Sequence, residues 1–277
     1  MVRRMSLSPV SPTPTTLGPR RYYAVNWVGL RTLYSKEVRR FMAVATQTIL
    51  APMVTTLLFL AVFVLALGHA VDRVGGVAYM SFLAPGLIMM AITQNAFANT
   101  SSSILISKLQ GNIVDLLMPP LTPLERMVGL AGGGLTRGLV VGIATWVAML
   151  PFVQVQMAHP GYVLYHAIMA SLMMSLIGML AGVWAEKFDH MAAITNFIVT
   201  PAAFLSGAFY SASRLPDFWQ GVAHANPLFY MIDGFRYGFI GHADGSLIAG
   251  LLVMAGFNLF LLALTWRLFA IGYHLKA

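Results

Sequence analysis

Six stretches of the chain are apolar enough and long enough to cross a bilayer. A helix rises about 1.5 Å per residue, so a hydrocarbon core of about 30 Å needs roughly 20 apolar residues. Residues 44–68, 78–100, 162–184, 191–210 and 246–271 meet that requirement. A further run begins somewhere after Pro123 and ends near Phe152. At roughly 20 residues it starts near Gly133 and leaves Arg137 one turn inside the boundary, within snorkelling reach of it. The pattern predicts an all-α integral membrane protein with six transmembrane helices.

Three stretches break this pattern. In residues 26–42, Trp27, Leu30, Tyr34, Val38 and Phe41 recur at spacings of three and four, while Arg31, Lys36, Arg39 and Arg40 occupy the other faces. That spacing predicts an N-terminal amphipathic interface helix lying on the inner leaflet. In residues 101–126, the serines at 101–103 are placed to cap a short helix carrying Ile104, Leu105, Leu109, Ile113, Leu116 and Leu117. Gly111 and the Pro119-Pro120 pair break it into pieces. Such an apolar helix displayed to the cytosol predicts a docking site for another protein.

The third is "NPLFYMIDGFRYGFIGH", residues 226–242, too interrupted to cross a bilayer and too apolar for a solvated loop. Residues 211–245 are too few for two crossings with turns, so re-entrant outer helices are expected between spans five and six. Asn226 and Pro227 read as the N-cap and first turn of the second of these. Asp233 and Arg236 are three apart, so they share a helix face and are expected to compensate each other's charge.

Composition sharpens this picture. Only 9% of residues are charged and 58% are hydrophobic, which excludes a soluble globular domain, where about 25% are charged. The net charge of +8 matters through its distribution rather than its sum. Eight of the 17 Lys and Arg residues precede the first span, from Arg3 to Arg40. Lys108, Arg126 and Lys187 fall in loops of that same side, against Arg73, Arg214 and Arg236 opposite. The positive-inside rule then puts both termini in the cytoplasm of a multi-pass protein. Residues 1–25, rich in Pro, Ser and Thr, read as a flexible cytosolic tail without the apolar stretch of a signal peptide, and residues 26–277 as the transmembrane domain.

The chemistry is sparse. There is no cysteine, no phosphate-cradling G-x-x-x-x-G-K-[ST], no H-E-x-x-H and no G-x-S-x-G. No catalytic or metal site is expected. Beside Arg137, neutral polar residues lie inside the spans, namely Gln47, Gln94, Asn95, Asn99, Asn196 and Asn258. They read as interhelix hydrogen-bonding groups. On these grounds the chain is a transporter subunit, a membrane scaffold or a polytopic lipid-modifying enzyme. The enzyme would have to draw on outer-side acids such as Asp72, Asp217, Asp233 and Asp244.

Three stretches carry a resemblance. "PLFYMIDGFR", residues 227–236, resembles the C-terminal signature of ABC-2-type permeases. "LAPGLIMMAITQNAFANTSSSI", residues 83–104, is similar to their second span, and "KLQGNIVDLLMPPLTPLE", residues 108–125, to their cytosolic coupling segment. The resemblance runs from about residue 26 to the end. It implies the permease subunit of a bacterial inner-membrane exporter of lipid-linked, glycan or drug-like substrates. It implies a homodimer in membrane lipid, served by two copies of a separate ATPase that binds ATP and Mg, with no cofactor in this chain and no nucleic-acid partner. Leu105, Lys108, Leu109, Ile113, Asp115, Leu116 and Leu117 would be ATPase-coupling residues. Trp27, Leu30, Tyr34, Val38 and Phe41 would form the interface helix, and Pro227, Tyr230, Asp233 and Arg236 the outer re-entrant cap.

Overall fold

The computed structural model describes residues 25–67, 73–74, 76–153, 157–212 and 215–274. The tail read over 1–25 lies outside the described residues except for Val25, as do Asp72, Arg214 and Lys276. The first helix, α1, spans Trp27–Met42; a π-helical turn, Thr46–Leu50, leads into α2, Ala51–Leu67. A two-residue hairpin follows, β1 (Arg73–Val74) against β2 (Val77–Ala78), turning at Gly76 with φ +83°. Next come α3 (Tyr79–Leu109), α4 (Ile113–Leu117), α5 (Pro123–Met149) and α6 (Pro160–Trp184). Then a continuous helical path runs through α7 (Phe188–Ile194), a second π turn (Thr195–Val199) and α8 (Thr200–Leu205). Short α9 (Asp217–Ala225) and α10 (Pro227–Ile240) precede α11 (Leu247–Ile271). The protein is an all-α integral membrane protein, and among the described residues five helices are long and apolar enough to cross a bilayer.

Several boundaries differ from the sequence pattern. The serines at 101–103 do not cap a new helix, because α3 continues through them to Leu109. Their short side chains bond back to their own helix or to α1: Ser102 Oγ donates to the Asn99 carbonyl at 3.2 Å and Ser103 Oγ to Glu37 at 2.7 Å. At 31 residues α3 is about 46 Å long, well beyond a hydrocarbon core of about 30 Å. Likewise α5 begins at Pro123, not near Gly133, because Thr122 and Glu125 form a capping box there. The run expected over 191–210 is helical over 188–205 only, in three pieces, and stops before Gly207 at φ +75°.

The core is the trio α3, α5 and α6. In its most apolar window α3 is 83% buried, whereas α2 is 11% buried. Close approach explains the difference. Gly134, Gly138 and Gly142 of α5 face Ser175, Ser171 and Ile92, and Gly178 of α6 faces Thr100 and the Phe97 carbonyl. With no side chain between them the backbones come near enough for Thr100 Oγ1 to donate to the Ser175 carbonyl at 2.7 Å. Gly178→Leu should therefore wedge α3 from α6. Overpacking of this kind costs about 1–3 kcal/mol, and thermal unfolding in detergent should show a clear fall in Tm. An unchanged Tm would mean that the trio is not the stability core.

Candidate functional site: two cross-tied ends and the cavity between them

At one end of the molecule, α1, α4 and the start of α5 form a layer. Asn26 caps α1 by accepting from Gly29 N at 3.0 Å. Its own backbone N–H donates to Glu125 Oε1 at 2.5 Å, and its side-chain amide to the Pro120 carbonyl at 3.2 Å. Glu125 Oε2 accepts from Thr122 N at 2.6 Å, so one buried carboxylate ties the start of α1 to the start of α5. Further along, Tyr34 and Thr136 share a hydrogen bond of 2.8 Å between their hydroxyls. Buried Glu37 pairs with Arg40 at 3.0 Å, and Arg40 donates to the Asn99 carbonyl at 2.7 Å and to Ser102 Oγ at 3.3 Å. Both α3 and α5 are thus locked to α1.

The faces of this layer divide the pattern-based choices between buried and exposed positions. On α1 the buried positions are Leu33, Glu37 and Phe41; Trp27 is 70% exposed, and Leu30 and Val38 are half-buried. The packing stripe is rotated because Gly129 and Gly133 of α5 accept Leu33 and Glu37 closely, and Glu37 finds partners that permit its burial. In the coupling segment Leu105, Ile113 and Leu116 are buried within the chain and Leu117 is half-buried. The outward apolar residues are Leu109 (47% exposed), Val114 (52%) and Met118 (77%), with Asp115 beside them. Lys108 also turns inward. Its ammonium donates to the carbonyls of Val183 and Ala185, both at 2.7 Å, capping the end of α6.

Between α2, α3 and the 188–205 path lies a cavity of about 640 Å³. Both π turns contribute to its wall, through Gln47 and through Thr195 and Val199. Towards the α1 end the wall is polar, with Gln47, Gln94, Asn95, Ser101 and Ser102. Towards the other end it is aromatic, with Phe59, Phe204 and Phe209. None of its lining residues is ionisable.

At the opposite end, α10 lies against α6 where Gly234 and Gly238 meet His166 and Val163. Asn226 caps α10, accepting from Leu228 N at 3.0 Å, and Pro227 is its first residue. Tyr230 is half-buried and its ring packs beside Gly250 of α11. Asp233 and Arg236 are both buried but are not an ion pair. Asp233 accepts from Asp244 N at 2.8 Å and Gly245 N at 3.0 Å, fastening the approach to α11. Arg236 donates to the Gly207 carbonyl at 2.6 Å and the Ala208 carbonyl at 3.3 Å, with its guanidinium carbon 3.9 Å from the centroid of the Phe82 ring. The two charges still act on each other through space, but no direct pair forms, because each side chain turns to a different backbone segment that needs its hydrogen bonds. Asp244, which sequence reasoning had left among isolated acids, accepts from Ser211 Oγ at 2.7 Å and Ala212 N at 3.0 Å. The segment after α8 is thereby stitched to α10 and to the loop before α11.

The family description "ABC-2 type transporter" matches residues 29–240, which take in α1, the cavity and all of α10. The chain belongs to the ABC-2 type transporter family. Its similarity to the inner membrane transport permease YadH of Escherichia coli K12 is 39% identity over 251 residues, covering 91% of this chain and 98% of that one. Nodulation protein J of Rhizobium leguminosarum bv. trifolii is 26% identical over 233 residues, 79% of this chain and 83% of its own. Nodulation protein J of Rhizobium meliloti is 26% identical over 223 residues, covering 76% and 80%. The ABC-2 assignment accounts for a membrane chain with a cavity but no nucleotide-binding motif.

Proposed function

We propose that the chain is the permease subunit of an ATP-binding-cassette exporter in a bacterial inner membrane. It works as a homodimer with two copies of a separate ATPase and moves a lipid-linked, glycan or drug-like molecule outward. The observation that carries this reading is the membrane-embedded cavity of about 640 Å³ flanked by two thinly packed helical paths, in a chain similar to the permease YadH over nearly its whole length. The path 188–205 supplies the sixth crossing, since 18 helical residues reach about 27 Å. The excess of Lys and Arg towards the α1 and α4 end supports a cytoplasmic side there with both termini inside, and α9 and α10 as the re-entrant outer cap.

Under this reading the ATPase docks on the outward apolar residues of the α3–α4 turn, beside the exposed Trp27 and Val28. The pair Val114→Asp with Met118→Asp should reduce copurification of a coexpressed ATPase at least tenfold, or about 1.4 kcal/mol. Insertion and thermal stability should stay near native, because neither side chain is buried. Leu116→Asp, by contrast, should lower stability. If the Val114/Met118 variant retains its ATPase and transport-coupled hydrolysis, the docking face lies elsewhere. If no ATPase copurifies with the native chain at all, the exporter reading fails.

A further inference from the structure

Resting on the reading of the cavity as the export path, we infer that its α1-facing end selects amphiphilic molecules with an anionic head such as a phosphate, and that Arg137 sets this preference. Arg137 is on α5, behind the wall. Its guanidinium donates to Asn95 Oδ1 at 3.0 Å, and Asn95 lines the cavity. A second arginine reaches the same end in the same way, as Arg40 donates to Ser102 Oγ at 3.3 Å and Ser102 also lines the cavity. One carboxylate touches this pair, Glu37, which is bound to Arg40 at 3.0 Å. Two guanidiniums against one carboxylate leave one positive charge in excess.

The hydrogen bonds tell the same story. Arg137 Nε and Asn99 Nδ2 are buried with no acceptor, and both are donors. Both lie behind the wall rather than in it, so the guanidinium charge at this end is not matched by a full set of acceptors. A largely buried cation with no ion pair of its own is expensive in a membrane chain and is characteristically found along a substrate path. The cavity wall itself offers neutral amides and hydroxyls, so nothing there screens the excess charge or repels an anion. At low local dielectric such a charge discriminates strongly between a phosphate head and an uncharged one of similar tail. The aromatic far end suits the acyl portion.

The chain has no cysteine, so a single Thr55→Cys on the cavity wall can carry an environment-sensitive fluorophore. The labelled full chain, in phosphatidylcholine nanodiscs, is titrated with dodecyl phosphate or dodecyl maltoside below their micellar range. A label at lipid-facing Leu252→Cys on α11 corrects for partition into the bilayer. Dodecyl phosphate should half-saturate the cavity label at a concentration at least tenfold lower than dodecyl maltoside. Arg137→Gln should abolish that tenfold preference without changing the response to dodecyl maltoside, and Arg137→Lys should retain most of it. Asn95→Asp, which neutralises the excess charge without removing Arg137, should do as Arg137→Gln does and serves if that variant misfolds. Including phosphatidylglycerol in the nanodisc separates sources: competition by it supports the anionic preference and identifies bilayer lipid as an occupant. Equal half-saturation by the two amphiphiles, or a preference that survives Arg137→Gln, overturns the charge inference and leaves the export path standing. No saturable response to either amphiphile overturns both.

Discussion

In Glu37→Ala, α1 comes loose from α3 and trypsin cuts within residues 31–40 at least tenfold faster than in the native chain. Glu37 is buried among Arg40, Ser103 and the close wall at Gly133. Its removal leaves Ser103 Oγ without its acceptor on α1 and Arg40 without its counter-charge. A hydrogen bond to a charged group is worth about 1.5–3 kcal/mol, and three are lost here, two from Arg40 and one from Ser103. The upper end is not reached, because Arg40 is partly exposed and keeps the Asn99 carbonyl at 2.7 Å. Cleavage is the apt readout, since Arg31, Lys36 and Arg39 already lie on the exposed face and only the intact helix protects them. Glu37→Gln, which keeps an acceptor for Ser103, should fall between. A native cleavage rate in Glu37→Ala would show that α1 is held by its apolar contacts and the Asn26–Glu125 tie alone.

The second large effect is expected at the opposite end. Arg236→Ala strands the Gly207 and Ala208 carbonyls and empties the space over Phe82. Each buried acceptor left unpaired costs about 1–3 kcal/mol, so the total is several kcal/mol and Tm should drop accordingly. Arg236→Lys should recover only part, because an ammonium lacks the planar fork and stacks poorly on the ring. Asp233→Asn should be destabilising in its own right, since it weakens the acceptor for Asp244 N and Gly245 N. The double-mutant cycle separates two accounts of this cap. Two side chains serving different segments should show a coupling below about 1 kcal/mol, whereas a direct ion pair should couple more strongly. A coupling of several kcal/mol, with the double variant more stable than Arg236→Ala, would reinstate the pair.

Some of the site was readable and was read, and some was readable and was passed over. The Asn226–Pro227 start of α10 follows from local rules, because capping is decided within one turn. The sequence Thr122-Pro-Leu-Glu125 satisfies the same kind of rule and marks the start of α5 ten residues before hydropathy does. A hydrophobicity count cannot see it, since Glu125 and Arg126 lower the average just where the helix begins. The outward face of α4 was not readable. Val114 and Met118 differ from Ile113 and Leu116 only in which side meets α3, and apolar residues on both sides of a short helix leave periodicity ambiguous.

The sequence by itself determined the solvent, the helical class and the family of this protein. Six apolar runs, scant charge and the absence of a nucleotide cradle follow from local composition, and the bilayer leaves helices as the form such runs take. Only the tertiary structure decided which polar groups act together. Glu37 with Ser103, Asn26 with Glu125, Arg137 with Asn95 and Arg236 with Gly207 are separated by 66, 99, 42 and 29 residues. Buried polar groups must find partners wherever the packed backbone offers them, and that offer depends on glycine-mediated approaches between helices remote in sequence. The same packing turned Asp233 and Arg236 away from each other, although their spacing on one helix had placed them side by side.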